Sequence, residues 1–467
     1  MNRLLAAALP LCAALLPAQV ERYELGLRLR AFERDLEQIT DAARRDAAFV
    51  QMNTAVQAFF RLDTGAVAKA IDAADRALRG DPGTPASRFA RCLVLSLDQR
   101  LIAKGTRELP FTITAAYRSD EEAEPPGDLQ LVIEPLTANG AAQRWPLGEL
   151  PFEARLQLAD APAGDHVLRW SITRGDTVLA RREQGLSIVA DLQTQLDRID
   201  GAVAVAEAIS PPTIESKTLP ALHKMLRGMQ RRRPEETVLP GERLLHEAVI
   251  LATAPTEPFY TEQRTGSFWL RVPVGTRTAS VRLFVPSAPR EGKAPLVIAV
   301  HGAGGSENLF FDGYGDGKVV RLAAPRGWFV VAPRNELTGV DCAALATALA
   351  QRFPIDLGKV FLVGHSMGAM QVVANATRAP ERFAAAAALG GGGSVRRSDA
   401  LAALPFFVGV GSRDFALGQA RALDRSLRAA GAASTLREYA GVEHLAIVQL
   451  ALDDVFGFFE RALTSPK

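Results

Sequence analysis

The sequence predicts a protein of the α/β class. It combines a mostly parallel sheet covered by helices on both faces with a preceding helical segment and a small β-sandwich-like domain. Three patterns along the 467 residues predict this order. Apolar residues recur first at helical spacing, then alternate with polar residues in short runs, and finally form buried strands separated by helical segments. At roughly 150 residues per domain, the length fits two or three domains.

Residues 19–105 form the predicted helical region. Its apolar residues fall into three stripes at helical spacing: Leu25, Leu29, Phe32, Leu36 and Ile39; Phe49, Met52, Val56 and Phe59; and Val67, Ile71, Ala74 and Leu78. We expect a small bundle whose helices bury these stripes against one another, with a helical repeat as the alternative.

Residues 106–189 form the predicted β-sandwich-like domain. Short runs of apolar residues alternate with polar ones, as at Trp170 and Ile172, between turns rich in Pro, Gly and Asp. By analogy with other appended β domains, this domain is expected to bind a polymer or another protein. Helical spacing returns over residues 190–257, the predicted helical connector, and residues 258–467 form the predicted catalytic domain.

The N-terminus is typical of an exported protein. Arg3 precedes an apolar run over residues 4–16, and the small residue Ala18 precedes a polar stretch. This order indicates a signal peptide over residues 1–18 and export to the periplasm or the cell exterior. The run is too short to span a membrane. The bulky Leu11 before Cys12 argues against a lipid anchor.

Composition and charge exclude several classes of partner and cofactor. The formal net charge of +2 gives no indication of a nucleic acid partner or an anionic membrane surface. The six histidines include no His-x-x-x-His pair and the three cysteines no Cys-x-x-Cys pair, so no metal site is expected. The expected reaction also uses no organic cofactor. Cys92 and Cys342 are predicted to be buried free thiols.

The clearest motif is the pentapeptide Gly-His-Ser-Met-Gly around Ser366. It directly follows a buried strand over residues 359–363 and precedes a segment suited to a helix. The Gly-x-Ser-x-Gly pattern places a nucleophilic serine on a sharp strand-to-helix turn. Side chains at positions 364 and 368 would clash with neighbouring chain there, so glycine is required at both. We expect His365 to point away from the reacting groups.

A candidate acid and a candidate base follow the elbow in the order that this fold imposes. Asp414 comes just after a strand over residues 405–410, whereas the alternative acid Asp424 falls in a helical stretch. His444 is the only histidine downstream of Ser366. The order serine, acid, histidine is the one found with this elbow.

A glycine-rich loop follows an earlier strand over residues 295–300. It reads His-Gly-Ala-Gly-Gly, and its His301 is expected to brace the loop rather than perform chemistry. Beyond it, three aromatic residues are candidates for the substrate-binding wall, with core packing as the alternative: Phe310, Phe311 and Tyr314. Glu443 is expected on the surface.

Together these motifs resemble the α/β-hydrolase superfamily over about Pro258 to Lys467. The resemblance is greatest to compact, lidless exported esterases of the dienelactone hydrolase and polyhydroxybutyrate depolymerase-like type. It implies that Ser366 is the nucleophile, His444 the general base, and Asp414 the acid that orients the imidazole. It also implies an oxyanion hole formed by two backbone amides, those of Met367 and Ala303.

The expected function is therefore an exported serine hydrolase that cleaves small-molecule or polymeric carboxylic esters through an acyl-enzyme intermediate. One alternative is a serine peptidase of the prolyl oligopeptidase type, although such enzymes usually carry a different elbow and a propeller domain. Another is a non-catalytic binding protein on a hydrolase scaffold. Ser366 and Asp414 are close in the sequence, which leaves little room for a lid. We therefore expect an open cleft, and a fragment of residues 258–467 that hydrolyses small esters unaided.

Overall fold

The computed structural model describes residues 20–118, 127–158, 161–231, 236–287, 292–335, 339–395 and 397–464. The predicted signal peptide, including Cys12, lies outside the described residues. Within the described ranges, helices that combine the length and apolarity needed to cross a membrane are absent.

The helices are α1 (Arg22–Gln38), α2 (Ala42–Phe60), α3 (Thr64–Arg79), α4 (Pro85–Cys92), α5 (Leu192–Ala208), α6 (Ile214–Met229), α7 (Gly241–Thr253), α8 (Leu309–Asp312), α9 (Tyr314–Ala323), α10 (Cys342–Ala350), α11 (Met367–Arg378), α12 (Asp399–Ala402), α13 (Leu417–Ala429) and α14 (Ala446–Thr464). The strands are β1 (Leu93–Leu97), β2 (Leu101–Ala103), β3 (Glu108–Ala115), β4 (Leu129–Ile133), β5 (Gln143–Pro146), β6 (Phe152–Gln157), β7 (Gly164–Arg174), β8 (Thr177–Val189), β9 (Gly266–Val274), β10 (Arg277–Val285), β11 (Ala294–Val300), β12 (Phe329–Pro333), β13 (Ile355–His365), β14 (Ala385–Leu389), β15 (Phe406–Gly411) and β16 (Ser434–Tyr439).

The predicted catalytic domain, called the catalytic region below, is built on an eight-stranded sheet in the order β16-β15-β14-β13-β11-β12-β10-β9. Strands β11 to β16 pair in parallel, and the hairpin of β9 and β10 extends the sheet antiparallel at one edge. Connections between parallel strands must cross back over the sheet, so helices cover both of its faces. The predicted fold class is confirmed.

Alternate residues of the parallel strands enter two different cores, one on each face of the sheet. On β11, Leu296 and Ile298 contribute to the core shared with α5–α7, α10, α11 and α13. Val297 and Ala299 contribute to the core shared with α1–α3, α9 and α14. The period of two in a strand explains this division.

The N-terminal helices α1–α3, which we call the roof helices, therefore belong to the same body as the catalytic sheet. Polar contacts hold them there as well. The Asp46 carboxylate on α2 pairs with Arg413 at 2.7 Å, and Gln449 on α14 donates to the carbonyl of Glu33 on α1 at 2.9 Å. This shared core argues against the expectation that residues 258–467 would suffice alone.

The small sheets β1-β3-β6 and β2-β8-β7-β4-β5 face each other as a sandwich. Their pairing is antiparallel except between β2 and β8, and they share a core of their own. The sandwich begins at Leu93, earlier than the predicted boundary at residue 106. Its first strand is only five residues long and follows α4 directly, without a glycine or proline to mark the change. Cys92 lies in this core and Cys342 beside the sheet, both buried and free as expected.

A buried ion cluster joins the sandwich to the roof helices. Arg28 on α1 pairs with Asp72 on α3, and its Nε lies 2.9 Å from a Glu24 carboxylate oxygen. Arg182 of β8 reaches the same Asp72 carboxylate at 2.8 Å, and the Tyr117 hydroxyl donates to it at 2.7 Å. Each charge therefore has an opposite partner, as a buried charge requires.

Candidate active site

Ser366 lies at the sharp turn between β13 and α11. Its backbone is in the left-handed region, with φ 55° and ψ −117°, which is strained for a residue with a side chain. A Cβ added at position 364 would lie 2.3 Å from the Gly368 carbonyl oxygen, and one at 368 would lie 2.0 Å from the Val300 oxygen. Both glycines are therefore required, as the sequence predicted.

The structure brings the predicted acid and base to this serine. His444, between β16 and α14, places its Nε2 3.0 Å from the Ser366 hydroxyl oxygen. Its Nδ1 lies 2.8 Å from Asp414 Oδ1, just after β15. Because an ionised carboxylate only accepts hydrogen bonds, Nδ1 carries the proton and Nε2 is free to accept one from the serine. The buried Asp414 oxygen also accepts from the Ala416 amide at 2.8 Å, which fixes its orientation.

The glycine-rich loop after β11 runs beside the nucleophile. A Cβ added at Gly302 would lie 3.2 Å from the Ser366 Cβ, and Ala303 lines the same cavity as the serine. His301 braces this loop as expected. Its Nδ1 donates to the Gly302 carbonyl at 2.8 Å, and its Nε2 accepts from the Asn335 amide at 2.8 Å. Burial lowers the pKa of His301, so the ring stays neutral in this role.

A comparison with known protein families matches the part of the chain that carries Ser366 and Asp414. Residues 335–414 match the prolyl oligopeptidase family, a segment that includes the elbow and Asp414. This match, the parallel sheet and the strand–serine–helix turn decide the assignment. The catalytic region is a serine hydrolase of the α/β-hydrolase superfamily.

Solved structures similar to the hydrolase include several with low sequence identity. The S-formylglutathione hydrolase from Agrobacterium tumefaciens is 19% identical, with a TM-score of 0.35, over 42% of this chain and 94% of that chain. A mutant feruloyl esterase module from Clostridium thermocellum, complexed with sinapinate, is 14% identical, with a TM-score of 0.36, over 45% and 95%. Est1E from Butyrivibrio proteoclasticus is 13% identical, with a TM-score of 0.35, over 43% and 100%. A search of curated proteins found no match to the chain.

His365 of the hydrolase holds the backbone of the base rather than facing the reacting groups. Its Nε2 donates to the His444 carbonyl oxygen at 2.8 Å, and its Nδ1 accepts from the Tyr314 hydroxyl at 2.6 Å. Burial lowers the pKa of His365 well below its ordinary value, so this imidazole stays neutral. The ring therefore links α9 to the loop that carries His444.

Two of the three predicted wall residues lie elsewhere. Phe310 and Phe311 are buried in the core, where the Arg282 guanidinium lies 4.9 Å from the Phe311 ring centre. The alternative interpretation, core packing, accounts for both. Only Tyr314 of this group lines the cavity at Ser366.

The expected surface position of Glu443 is also wrong, because the side chain is fully buried. Its carboxylate accepts from the amides of Leu445 at 2.7 Å and Ala446 at 2.6 Å. It therefore satisfies free amides at the start of α14. Burial raises the pKa of Glu443 to about 7. The position just before a helical stretch was the sequence signal for this capping role.

Asp424, the alternative acid, lies away from the triad on α13, where its carboxylate pairs with Arg428 at 3.0 Å and accepts from the Ser434 hydroxyl at 2.7 Å.

Among the described residues, clusters of His, Cys, Asp and Glu suited to a metal ion are absent.

A cavity of about 450 Å³ lies over Ser366, and the roof helices form part of its wall. The expected cleft is therefore only partly open: part of its cover is supplied by the N-terminal helices instead of an insertion near the elbow. The apolar wall residues from these helices include Leu25 and Leu29 of α1, Met52, Val56 and Phe59 of α2, and Val67 and Ile71 of α3. All seven belong to the predicted helical stripes, whose periodicity marked them as buried without showing what they face.

Proposed function

We propose that this serine hydrolase cleaves carboxylic esters, with Ser366 as nucleophile, His444 as general base and Asp414 as the acid that orients the imidazole. The observation that carries the proposal is the hydrogen-bonded series from Asp414 through His444 to Ser366, at 2.8 and 3.0 Å. This series orients the base and places it within reach of the proton that it must remove.

The reaction begins when the Ser366 hydroxyl oxygen attacks the ester carbonyl while His444 Nε2 takes its proton. Asp414 stabilises the resulting imidazolium. The oxyanion of the tetrahedral intermediate accepts hydrogen bonds from the amides of Met367 and Ala303, and the N-terminus of α11 favours its negative charge. His444 then protonates the departing alcohol, leaving an acyl group on Ser366.

Water completes the cycle by attacking the acyl-enzyme. His444 takes a proton from the water, a second tetrahedral intermediate forms, and the protonated imidazole returns the proton to the Ser366 oxygen as the carboxylic acid leaves. The cycle uses only groups of this chain and water, and it regenerates the starting protonation states.

A peptidase activity is the second candidate, because the matched family is that of the prolyl oligopeptidases. A peptide brings several backbone amides into a site, and each needs a hydrogen-bond partner once it leaves water. The cavity wall from the roof helices is built mainly from aliphatic and aromatic side chains. This wall favours an ester with apolar substituents over a peptide.

The test compares wild type with Ser366→Ala on p-nitrophenyl acetate and on a set of peptide p-nitroanilides. Loss of the nucleophile should lower ester turnover by about 10⁴-fold or more. Labelling by a fluorophosphonate probe should disappear in the same variant. Ser426→Ala, at an exposed hydroxyl on α13, is the matched control and should change neither readout. Retained labelling in Ser366→Ala, or faster cleavage of the anilides than of the ester, would contradict the proposal.

We further propose that the protein is exported after removal of residues 1–18. Support comes from the sequence of that segment, a positive residue followed by a short apolar run and a small residue. Intact-mass measurement of secreted material should give a chain that begins near Gln19. A product that retains Met1 would contradict the proposal.

A further inference from the structure

The cavity under the roof helices opens at an apolar rim beside the base. Phe60 of α2 lines the cavity and is 54% exposed, and its ring lies 5.8 Å from that of Phe415. The Phe415 ring in turn lies 4.2 Å from the imidazole of His444. The partly exposed Ser366 lies on the same cavity. A substrate that enters at this rim reaches the nucleophile directly.

Inside the rim, the roof helices contact the loop that holds the candidate oxyanion amide. A Cβ added at Gly304 would lie 2.2 Å from the tip of the Phe59 ring, so this ring rests on the glycine backbone. Deeper along the roof, Met52 and Val56 of α2 and Ile71 of α3 form the wall. The volume of about 450 Å³ falls in the range, roughly 300–1,000 Å³, of sites that enclose a small organic ligand.

The charged groups on the cavity wall are already paired. Arg22 lies 3.2 Å from Glu236, Arg30 pairs with Asp316, and Asp312 pairs with Arg282. Each charge on the wall therefore has an opposite charge from the protein itself. The wall does not favour a charged substituent, whose desolvation would gain no new partner.

The neutral polar side chains of the wall outside the triad are engaged as well. The Thr64 hydroxyl accepts from the Val20 amide at 3.0 Å, and Asn308 Oδ1 accepts from the indole of Trp269 at 2.8 Å. Thr237 donates to Asp312, and the Tyr314 hydroxyl is used by His365 as described. Sugar or phenolic hydroxyls placed here would lose water without gaining equivalent hydrogen bonds.

From this combination we infer that the roof helices form the binding site for a linear aliphatic chain on one side of the scissile ester. The inference rests on the proposed ester hydrolysis. A saturated chain needs only apolar surface, and the three roof helices supply it at the nucleophile. Val56 and its neighbours are then specificity-determining residues, although they lie some 300 positions before Ser366 in the chain.

The experiment measures kcat/KM for p-nitrophenyl acetate, butyrate, hexanoate and octanoate, and for ethyl, butyl and octyl acetate. In wild type, each methylene that enters the cavity should raise kcat/KM about fourfold. A rise in the first series places the chain on the acyl side, and a rise in the second series places it on the alcohol side.

Val56→Phe tests the roof directly, because the larger side chain occupies cavity volume. The ratio of kcat/KM for the longest ester to that for the shortest, in the series that rises, should fall at least about tenfold. Val50→Phe is the matched control on the same helix. Val50 is 50% exposed and Val56 8%, so the control should leave the ratio unchanged. Met52→Ala, which enlarges the cavity, should move the preference toward longer chains and serves if Val56→Phe does not fold.

A binding measurement separates this inference from the proposed function. Ser366→Ala should bind 1-decanol, seen as a rise in Tm, and adding Val56→Phe should abolish that rise. Decanol binding without hydrolysis of any ester would overturn ester hydrolysis and leave the chain-binding site supported. The chain-binding site would be overturned, while ester hydrolysis stands, if kcat/KM did not change with chain length in either ester series. The same would follow if the ratio of kcat/KM values fell equally in Val50→Phe.

Discussion

The roof helices and the β-sandwich both precede the catalytic region in the chain, yet they relate to it in different ways. The apolar residues of α1–α3 share a core with β11, α9 and α14. The apolar residues of the sandwich pack mainly against one another, between the two small sheets. In the sequence, both segments resemble additions to the catalytic region. In the structure, the roof helices form part of the active site, whereas the sandwich forms a separate layer.

The physical origin of this difference is how each segment buries its apolar surface. Two facing sheets cover each other's inner faces, so a sandwich can complete a core by itself. Three short helices cannot enclose all of their apolar surface, and the remainder must be covered by another element. Here that element is the catalytic sheet with its helices. The predicted binding of a polymer or protein by the sandwich stays a prediction.

The largest effect should come from removing the roof. Deleting residues 20–83 removes α1–α3 and leaves every sandwich strand in place. The deletion exposes the core around Val297 and Ala299, so we expect loss of soluble protein and of all measurable ester hydrolysis. Yield, circular dichroism and turnover on p-nitrophenyl acetate measure the result.

Trp170→Ala is the counterpart in the sandwich core. It should cost about 3–5 kcal/mol of stability but leave the kcat of the folded protein unchanged, since Trp170 packs within the sandwich. A soluble deletion variant with wild-type kcat/KM on the acetate would show that the roof is as dispensable for the chemistry as the sandwich.

An intermediate effect on kcat/KM is expected from substitution of Gly304 by alanine. Gly175, whose backbone conformation is similar, is the matched position in the sandwich. Gly304 and Gly175 have φ of 73° and 55°, so alanine is strained at both. A Cβ at Gly304 also meets the Phe59 ring, whereas one at Gly175, in the β7–β8 turn, meets open space. Gly304→Ala should therefore lower kcat/KM about 10–100-fold by displacing the loop beside Ser366.

Gly175→Ala should cost about 1 kcal/mol of stability with no change in kcat/KM. Adding Phe59→Ala to Gly304→Ala removes the clash, and part of the lost kcat/KM should return, measured on p-nitrophenyl acetate. Equal losses of activity at the two glycines, or no recovery in the double variant, would show that the roof does not hold the loop.

The smallest expected effect is a change in how the stability of the protein depends on pH. Glu33 on α1 is buried beside the start of α9, and burial raises the pKa of its carboxyl from 4.5 to about 8. The folded state therefore holds a proton that the unfolded state releases between these values. The stability that this proton contributes is present below pH 4.5 and is lost as the pH rises through about 8.

Glu33→Gln should accordingly flatten the fall in Tm between pH 6 and 9, by about 2–4 °C for each kcal/mol involved. The raised pKa of Glu443 leaves the variant with some pH dependence. Glu153→Gln, at an exposed position in the sandwich, should follow the wild-type profile. If Tm changed with pH in parallel in wild type and both variants, Glu33 would not be responsible for the pH dependence of stability.

Sequence alone was sufficient where chemistry and backbone geometry impose a residue type. The glycines around Ser366 and the strand ends before Asp414 and His444 fall in this class. Sequence was insufficient where the surface that covers a buried face comes from a distant part of the chain. The periodicity of α1–α3 shows that one face is buried, but carries no information on which surface covers it. For the same reason Phe310 could not be distinguished as core or wall.

The contact between Glu33 and Gln449 spans 416 residues, and this separation has a consequence for biosynthesis. The helices that complete the active site are made early, while α14 is the last of the described helices to be made. At roughly 5–20 residues per second, the ribosome needs about 20–80 s to synthesise the partner of Glu33. During that time the apolar faces of α1–α3 lack their cover, so nascent chains of intermediate length should be substrates for chaperones. The hydrolase can become active only once α14 has been translated.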